Sequence, residues 1–286
     1  MQPTKDRGLS SIWLDFGKDK VLVDCGEGTQ RQLKIAGLKP TKLSKIFLTH
    51  CHGDHMLGLG GLIYYLSSNE YKGTLQVYGP KGLKEYYKHL LQSCMFSETI
   101  EIKIHEIENG IIYEDDEYYV EALKLEHQAL CYGYNFIEKD KRKINLDYIK
   151  KHDLEQHPIL GKLQKGEDIE WNGKIIKASK GTTLVKGKKL SIVIDTGLCS
   201  NALKLAKDAD LLISESTFLD NLKEQAKERK HLTAKQAAEI AKKSKVKKLA
   251  LTHFSQRYKS VDEVEKEAKK IFKNTVLAED FMEINV

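Results

Sequence analysis

A chain of 286 residues with 41% hydrophobic side chains can fill a sizeable core, yet no run approaches the roughly 18 apolar residues of a membrane span and the amino terminus lacks a secretory apolar stretch. The five cysteines (Cys25, Cys51, Cys94, Cys131 and Cys199) are odd in number and include no Cys-x-x-Cys pair, which sets aside a disulfide-stapled secreted scaffold and points to reduced thiols in a cytoplasmic protein with no membrane partner. Lys and Arg outnumber Asp and Glu by 47 to 41, and the whole excess of +6 lies in residues 135–189, where 14 basic residues stand against 8 acidic ones, a balance compatible with a polyanionic partner.

In chain order, residues 20–24, 45–49 and 74–78 are short β-rich runs that end in Gly-, Pro- or His-containing turns, and they read as buried strands. Residues 56–68 and 81–93 place apolar side chains at helical spacing, the second through Leu83, Tyr86, Tyr87, Leu90 and Leu91. After Asn109-Gly110, residues 118–126 and 132–137 have the aromatic and branched content of strands, so His127 falls in the connection leaving a strand. From about 139 to 189 the period dissolves into a polar, Gly-rich, basic stretch with one suggested helix at 146–151; this stretch is expected to be an arm inserted into a single domain spanning 1–286. Strand character returns at 190–195, 210–214 and 249–252, and helical character at 201–207, 233–244 and 261–272. The alternation on both sides of the basic stretch predicts an α/β protein whose flanks could be similar halves.

The chemistry concentrates in His50-Cys51-His52-Gly53-Asp54-His55, directly after the expected strand at 45–49. Six residues there offer four ligands, and His nitrogen with carboxylate oxygen suits Zn²⁺, for which the chain has no Cys₄ or Cys₂His₂ alternative. Remaining ligands must come from a distance. His127, Asp195 and His253 each stand at or beside the end of an expected strand, where α/β proteins assemble sites from separate stretches. Seven ligands suit two metals, with a carboxylate such as Asp195 able to bridge them. His89, His105 and His152 read as unrelated surface groups.

Thr49-His50-Cys51-His52-Gly53-Asp54-His55 resembles the signature of metallo-β-lactamase-fold hydrolases. Within that superfamily the chain is similar to ribonuclease Z, the endonuclease that removes 3′ trailers from precursor tRNA. The likeness is carried by Pro3-Thr4-Lys5-Asp6-Arg7-Gly8, by Asp24-Cys25-Gly26-Glu27-Gly28-Thr29-Gln30-Arg31-Gln32, and by His127 ahead of Tyr132-Gly133-Tyr134. Asp195-Thr196-Gly197-x-Cys199, Glu215-Ser216-Thr217-Phe218, His231-Leu232-Thr233-Ala234 and Leu251-Thr252-His253-Phe254-Ser255-x-Arg257-Tyr258 extend it nearly to the carboxy terminus. The His and Asp cluster alone also occurs in glyoxalase II and β-lactamase relatives, whereas the block at 24–32 and the last two stretches are more particular to ribonuclease Z.

The resemblance implies a four-layer αβ/βα sandwich, with two mixed sheets packed face to face and helices outside. It implies one zinc held by His50, His52 and His127, a second by Asp54, His55 and His253, and Asp195 shared between them. Asp54 would also accept a proton, His231 would donate one to the departing oxygen, and Glu215 would orient His231. A metal lowers the pKa of its water to about 7, so no Ser or Cys nucleophile is needed. The products would be a 3′ hydroxyl on the tRNA and a 5′ phosphate on the trailer, with no 2′,3′-cyclic end.

In ribonuclease Z an arm between the third and fourth metal motifs clamps the tRNA elbow, and the basic stretch 139–189 matches it in position. Its Lys141, Arg142 and Lys143 would meet phosphates without reading bases. The Gly-Pro pair of the family arm is missing, and the stretch reads His157-Pro158-Ile159-Leu160-Gly161. Residues 3–8 resemble the loop that reads the tRNA 3′ end, with Gly8 where Asn is common, and Lys5 and Arg7 would meet acceptor-stem phosphates. Family members usually carry a strand and a Gly-rich turn ahead of this loop, so either that strand is absent or the start is late. The expected partners are precursor tRNA and a second copy of the chain, and no DNA. Two alternatives stand beside this: a small-molecule hydrolase of the same fold, such as a cyclic-nucleotide phosphodiesterase or a glyoxalase II-like thioesterase, and a non-catalytic RNA-binding relative, whose ligand set should have decayed.

Overall fold

Residues 12–23, in which composition and spacing announce only the second strand, fold into a hairpin of β1 (Ile12–Phe16) and β2 (Asp19–Val23), paired antiparallel with Ile12 opposite Val23. The computed structural model describes residues 1–95 and 99–286. After the hairpin come α1 (Thr29–Ile35), β3 (Leu43–Phe47), α2 (Gly53–Met56), α3 (Gly58–Ser68), β4 (Thr74–Gly79), α4 (Leu83–Gln92) and β5 (Glu101–Glu106). Strands β2 to β5 pair in parallel and complete a five-stranded sheet in the order β1-β2-β3-β4-β5. The helix expected over 56–68 starts earlier, at Gly53, and breaks at Leu57.

A second sheet begins with β6 (Gly110–Glu114), β7 (Tyr118–Lys124) and β8 (Tyr132–Glu138). Between β8 and the next strand of this sheet lie β9 (Lys141–Ile144), α5 (Leu146–Lys150), α6 (Leu160–Gln164), β10 (Ile169–Trp171), β11 (Lys174–Ile176), α7 (Ala178–Gly181) and β12 (Thr182–Val185). The sheet then resumes with β13 (Lys189–Val193), followed by α8 (Ser200–Ala206), β14 (Leu211–Glu215), α9 (Lys223–Arg229), α10 (Ala234–Lys243), β15 (Lys248–Thr252), α11 (Asp262–Lys269) and β16 (Thr275–Leu277). Its seven strands run in the order β16-β15-β14-β13-β8-β7-β6, with β13 to β16 parallel.

The chain divides into a larger unit of residues 1–113, 120–136 and 189–286 and a smaller one of residues 114–119 and 137–188. In the larger unit the two sheets meet through aromatic rings. Phe47 of β3 lies edge-on to Phe136 at 5.3 Å and to Tyr134 at 5.6 Å, and the Tyr134 hydroxyl donates to the Leu48 carbonyl at 2.6 Å. Alternate residues of β8 turn the other way, and there Gly133 is required: a Cβ would lie 2.5 Å from Leu205 and 2.9 Å from the Ile192 carbonyl oxygen. Helices cover both outer faces. Leu33, Leu59, Leu62, Ile63, Leu66 and Leu83 from α1, α3 and α4 pack with the first sheet, and Leu205, Ala237, Ala241, Val264 and Ala268 from α8, α10 and α11 with the second. Each such buried Leu, Ile or Val contributes about 1.5–3 kcal/mol. This is the expected αβ/βα sandwich.

The smaller unit is more ordered than the dissolving periodicity of 139–189 suggests. β9 and β12 form an antiparallel pair, and β10 and β11 form a hairpin closed by Asn172 and Gly173, both at positive φ as a tight two-residue turn requires. Ile149, Leu154, Leu163, Ile169, Ile176 and Ala178 make a core of its own. The apolar residues are too few and too widely spaced for a periodic signal, yet enough to bury one small cluster.

Candidate metal centre

Three strands end in a sharp left-handed turn of the backbone. Asp24 follows β2 at φ +59°, Asp195 lies two residues beyond β13 at φ +56°, and His253 follows β15 at φ +58°. Left-handed backbone at a residue other than glycine costs about 1–3 kcal/mol and clusters at functional sites. The fourth contribution, the turn from His50 to His55, follows β3 and runs into α2. It is clamped on the loop after β2: the Cys25 N–H donates to the His55 carbonyl at 2.7 Å and the Gly58 N–H to the Cys25 carbonyl at 2.9 Å. A Cβ at Gly58 would lie 2.0 Å from the Gly26 carbonyl oxygen, so the two segments meet only because position 58 is glycine. That close approach gives a physical account of Cys25-Gly26 in the block at 24–32.

With His127 from the connection between β7 and β8, these elements bring together all seven side chains expected to ligate metal. The nitrogens of His50, His52 and His127 with a carboxylate oxygen of Asp195 form one group, and Asp54, His55, Asp195 and His253 form a second; within each, the ligand atoms lie within 4.8 Å of one another. In the first, His52 Nδ1 lies 2.9 Å from His50 Nε2 and 3.3 Å from His127 Nε2, while Asp195 Oδ2 lies 3.6 Å from His50 Nε2 and 3.8 Å from His127 Nε2. In the second, His55 Nε2 is 3.4 Å from both Asp54 Oδ2 and Asp195 Oδ2, and His253 Nε2 is 3.6 Å from Asp54 Oδ2. Asp195 belongs to both groups.

Whether this set suits a metal can be tested on its unmet bonding capacity. His55 Nε2, His253 Nε2 and Asp195 Oδ1 are buried without a hydrogen-bond partner, the 3.0 Å approach of the last two lacking hydrogen-bond alignment. Leaving such atoms unsatisfied costs about 1–3 kcal/mol each. Inward-facing imidazole nitrogens and carboxylate oxygens fit divalent metal, and the cluster is a metal-binding one in composition and geometry.

The electrostatics of these side chains carry the same tension. Burial, with neighbouring His55, pushes His50 down to about 2. Burial opposes charge on His253, but Asp195 overrides it and lifts the ring to about 9. His55 is likewise raised against burial by Asp24 and Asp195, and His127 is lowered, chiefly by burial. Burial would raise Asp54 and Asp195, but His253 and His55 hold both carboxyls below their ordinary range. Asp54 also pairs with the Met1 amino group.

His231 stands beside the second group, its ring 5.6 Å from that of His253 and nearly parallel to it. Its Nδ1 lies 3.0 and 3.1 Å from the two oxygens of the fully buried Glu215, which counter burial and raise its pKa. Thr233 caps α10 through a reciprocal box with Gln236, leaving the His231 side chain to Glu215. Of the other basic candidates, Lys5 is exposed beside Asp6, whereas the Arg7 guanidinium donates to the Tyr258 carbonyl at 2.8 Å. Lys141 and Lys143 are exposed on β9, and Arg142 between them donates to Thr182 Oγ1 at 3.2 Å. His89, His105 and His152 join none of the ligand groups found among the described residues.

Some participants lie outside the candidates that the sequence singles out. Asp24 Oδ2 lies 2.7 Å from His55 Nδ1. Thr49 and Thr217 hydroxyls approach the Nδ1 atoms of His50 and His253 at 3.0 and 2.9 Å. The Lys230 carbonyl lies 3.2 Å from His127 Nδ1. Asp24, Thr49 and Thr217 stand inside the motifs that carry the resemblance and Lys230 next to one, with no local mark of what each holds.

Comparison with known proteins supplies the family. A ribonuclease Z of Archaeoglobus fulgidus is 38% identical over 99% of this chain and 94% of its own length. The chain belongs to the ribonuclease Z family. The crystal structure of human tRNase Z, short form, is similar with a TM-score of 0.70 and 28% identity, over 99% of this chain and 94% of that one. The metallo-β-lactamase fold protein YhfI from Bacillus subtilis shares the fold, with a TM-score of 0.68 and 21% identity over 97% and 91% of the two chains. The family model described as Anti-Pycsar protein Apyc1 matches residues 4–276, so the chain falls within that family also. Among the described residues no helix is long and apolar enough to cross a membrane.

Proposed function

We propose that this member of the ribonuclease Z family is a cytoplasmic endoribonuclease that removes the 3′ trailer from precursor tRNA with two zinc ions per subunit. The observation that carries the reading is the Glu215-His231 pair set beside the ligand groups, since a proton donor next to a hydrolytic metal centre is what phosphodiester cleavage with a poor leaving group needs. His50, His52 and His127 would hold one ion, Asp54, His55 and His253 the other, and Asp195 both. Bound there, the ions supply an acidified water and neutralise charge on the phosphate.

The chain's own residues divide the remaining work. As water adds to phosphorus, the Asp54 carboxylate accepts its proton. The bond to the 3′ oxygen breaks, and His231, held by Glu215 through Nδ1, delivers a proton from Nε2 to that oxygen. The tRNA keeps a 3′ hydroxyl and the trailer leaves with a 5′ phosphate. Residues 139–189, with Lys141, Arg142 and Lys143, bind the tRNA body through its phosphates; Lys5 and Arg7 serve the acceptor end; the chain works as a homodimer.

The test is incubation of the purified protein with end-labelled precursor tRNA, with and without chelator, beside a small cyclic phosphodiester. Chelator-sensitive cleavage near the discriminator base with a 3′ hydroxyl is expected. A 2′,3′-cyclic end would reject the mechanism. Turnover of the small substrate with precursor tRNA untouched would transfer the protein to the small-molecule hydrolases of this fold.

A further inference from the structure

Four of the five clustered imidazoles turn Nε2 toward the centre and Nδ1 outward. For two of them the outer partner decides where the proton sits. His55 Nδ1 faces the Asp24 carboxylate at 2.7 Å and His127 Nδ1 faces the Lys230 carbonyl at 3.2 Å, and neither partner can donate. In the neutral ring that a metal requires, their Nδ1 atoms therefore carry the hydrogen, and Nε2 is left with its lone pair.

His50 and His253 face threonine hydroxyls, which can donate or accept and so decide nothing by themselves. The decision lies one bond further out. Thr49 Oγ1 stands 3.0 Å from each oxygen of the fully buried Asp24. Thr217 Oγ1 stands 2.6 Å from Oε2 of the fully buried Glu215 and 3.1 Å from the His253 carbonyl oxygen. Every one of these partners is an acceptor, so each hydroxyl's single hydrogen is committed to them. Toward Nδ1 the hydroxyl oxygen can only accept.

We propose that Asp24-Thr49-His50 and Glu215-Thr217-His253 are a pair of relays in which a buried carboxylate, acting through a threonine hydroxyl, fixes Nε2 of the histidine as the lone-pair nitrogen offered to metal. Thr49 and Thr217 are positioning residues. The proposal rests on the reading of the cluster as a metal centre. It also gives each carboxylate two duties. Asp24 orients His55 directly and His50 through Thr49, one ligand from each group. Glu215 orients the proton donor His231 directly and His253 through Thr217, while accepting the Thr196 N–H at 2.5 Å beside Asp195.

The experiment is titration of metal-free protein with zinc against a chromophoric chelator, with Thr217→Val and Thr49→Val as isosteric losses of the hydroxyl. Each should weaken one of the two zinc affinities by roughly 10–100-fold, and Thr217→Ser and Thr49→Ser should stay within about threefold of wild type, as expected for an outer hydrogen bond to a ligating histidine. Long-range ¹H–¹⁵N imidazole spectra of zinc-loaded wild type should show His50 and His253 protonated at Nδ1, a readout that does not depend on how well the variants fold. Valine variants with both affinities intact, serine variants as weak as valine, or spectra with the hydrogen on Nε2 would overturn the relays while leaving the metal centre standing. A wild-type protein that holds no zinc would overturn the metal centre itself, and the relays with it.

Discussion

The metal-binding cluster and the basic stretch 139–189 of the small unit use their polar groups in opposite ways. In the cluster His50, His55, Asp195 and Glu215 are at most 2% exposed, and nearly every outer atom is held by a named partner. In the small unit the charges of Lys141 and Lys143 lie in solvent while six side chains bury a modest core. Buried groups in fixed orientation act with full electrostatic strength but tolerate little change; exposed charges act weakly one at a time and add. Chemistry therefore belongs to the first region and graded affinity to the second, and substitutions in the two should differ in kind.

The largest effect should come from Asp195, shared by both ligand groups. Asp195→Ala should lower cleavage on the order of 10³-fold or more, since metal ions supply several kcal/mol of charge stabilisation, and elemental analysis should show loss of bound metal. Next is His231→Ala, expected to lower kcat by roughly 10²–10⁴-fold with KM little changed, as for loss of a general acid. Its pH dependence has a definite sign. Glu215 raises the His231 pKa against burial, so the ring keeps its proton further up the scale and activity falls as pH rises through that raised value. Glu215→Gln should move this alkaline limb to lower pH; a profile identical to wild type would separate His231 from proton donation.

In the small unit the same scale of response should be absent. Reversing Lys141, Arg142 and Lys143 to Glu should raise KM for precursor tRNA and flatten its dependence on salt, by about 0.7–0.9 in logarithmic slope for each phosphate no longer neutralised, with turnover of a small phosphodiester unchanged. Equal loss on both substrates would erase the distinction between the regions. The smallest effect concerns Asp168, which accepts from Lys177 Nζ at 2.8 Å and from the Ala178 N–H at 2.9 Å. These bonds hold its pKa below the ordinary 3.8, so its contribution is present above that value and is lost as pH falls through the depressed one. Asp168→Asn should make residues 137–188 slightly more open to protease at neutral pH, with the difference from wild type vanishing in acid.

How much of this is legible in the sequence differs by element. Buried strands such as β3 and β14 each carry three large apolar residues in five and stand out, whereas β5, Glu-Ile-Lys-Ile-His-Glu, is a half-buried or exposed edge strand whose charged residues mask its alternation. In the small unit the Trp171-Asn172-Gly173-Lys174 hairpin turn is a readable signal, but its flanking strands of three residues each are too short to show a period.

The inventory of the centre is written in the chain itself: a dense run of His and Asp after one strand, further His and Asp after others, and enough particular motif to place the chain in its family. Residue types and their position after β-rich runs survive in one dimension, because ligand chemistry depends on atoms each side chain carries. Which imidazole nitrogen faces inward, and what holds it there, is settled by folding alone. Asp24 meets His55 across 31 positions, and Glu215 meets His231 across 16. No local pattern encodes those approaches, because they follow from two sheets delivering their strand ends to one edge.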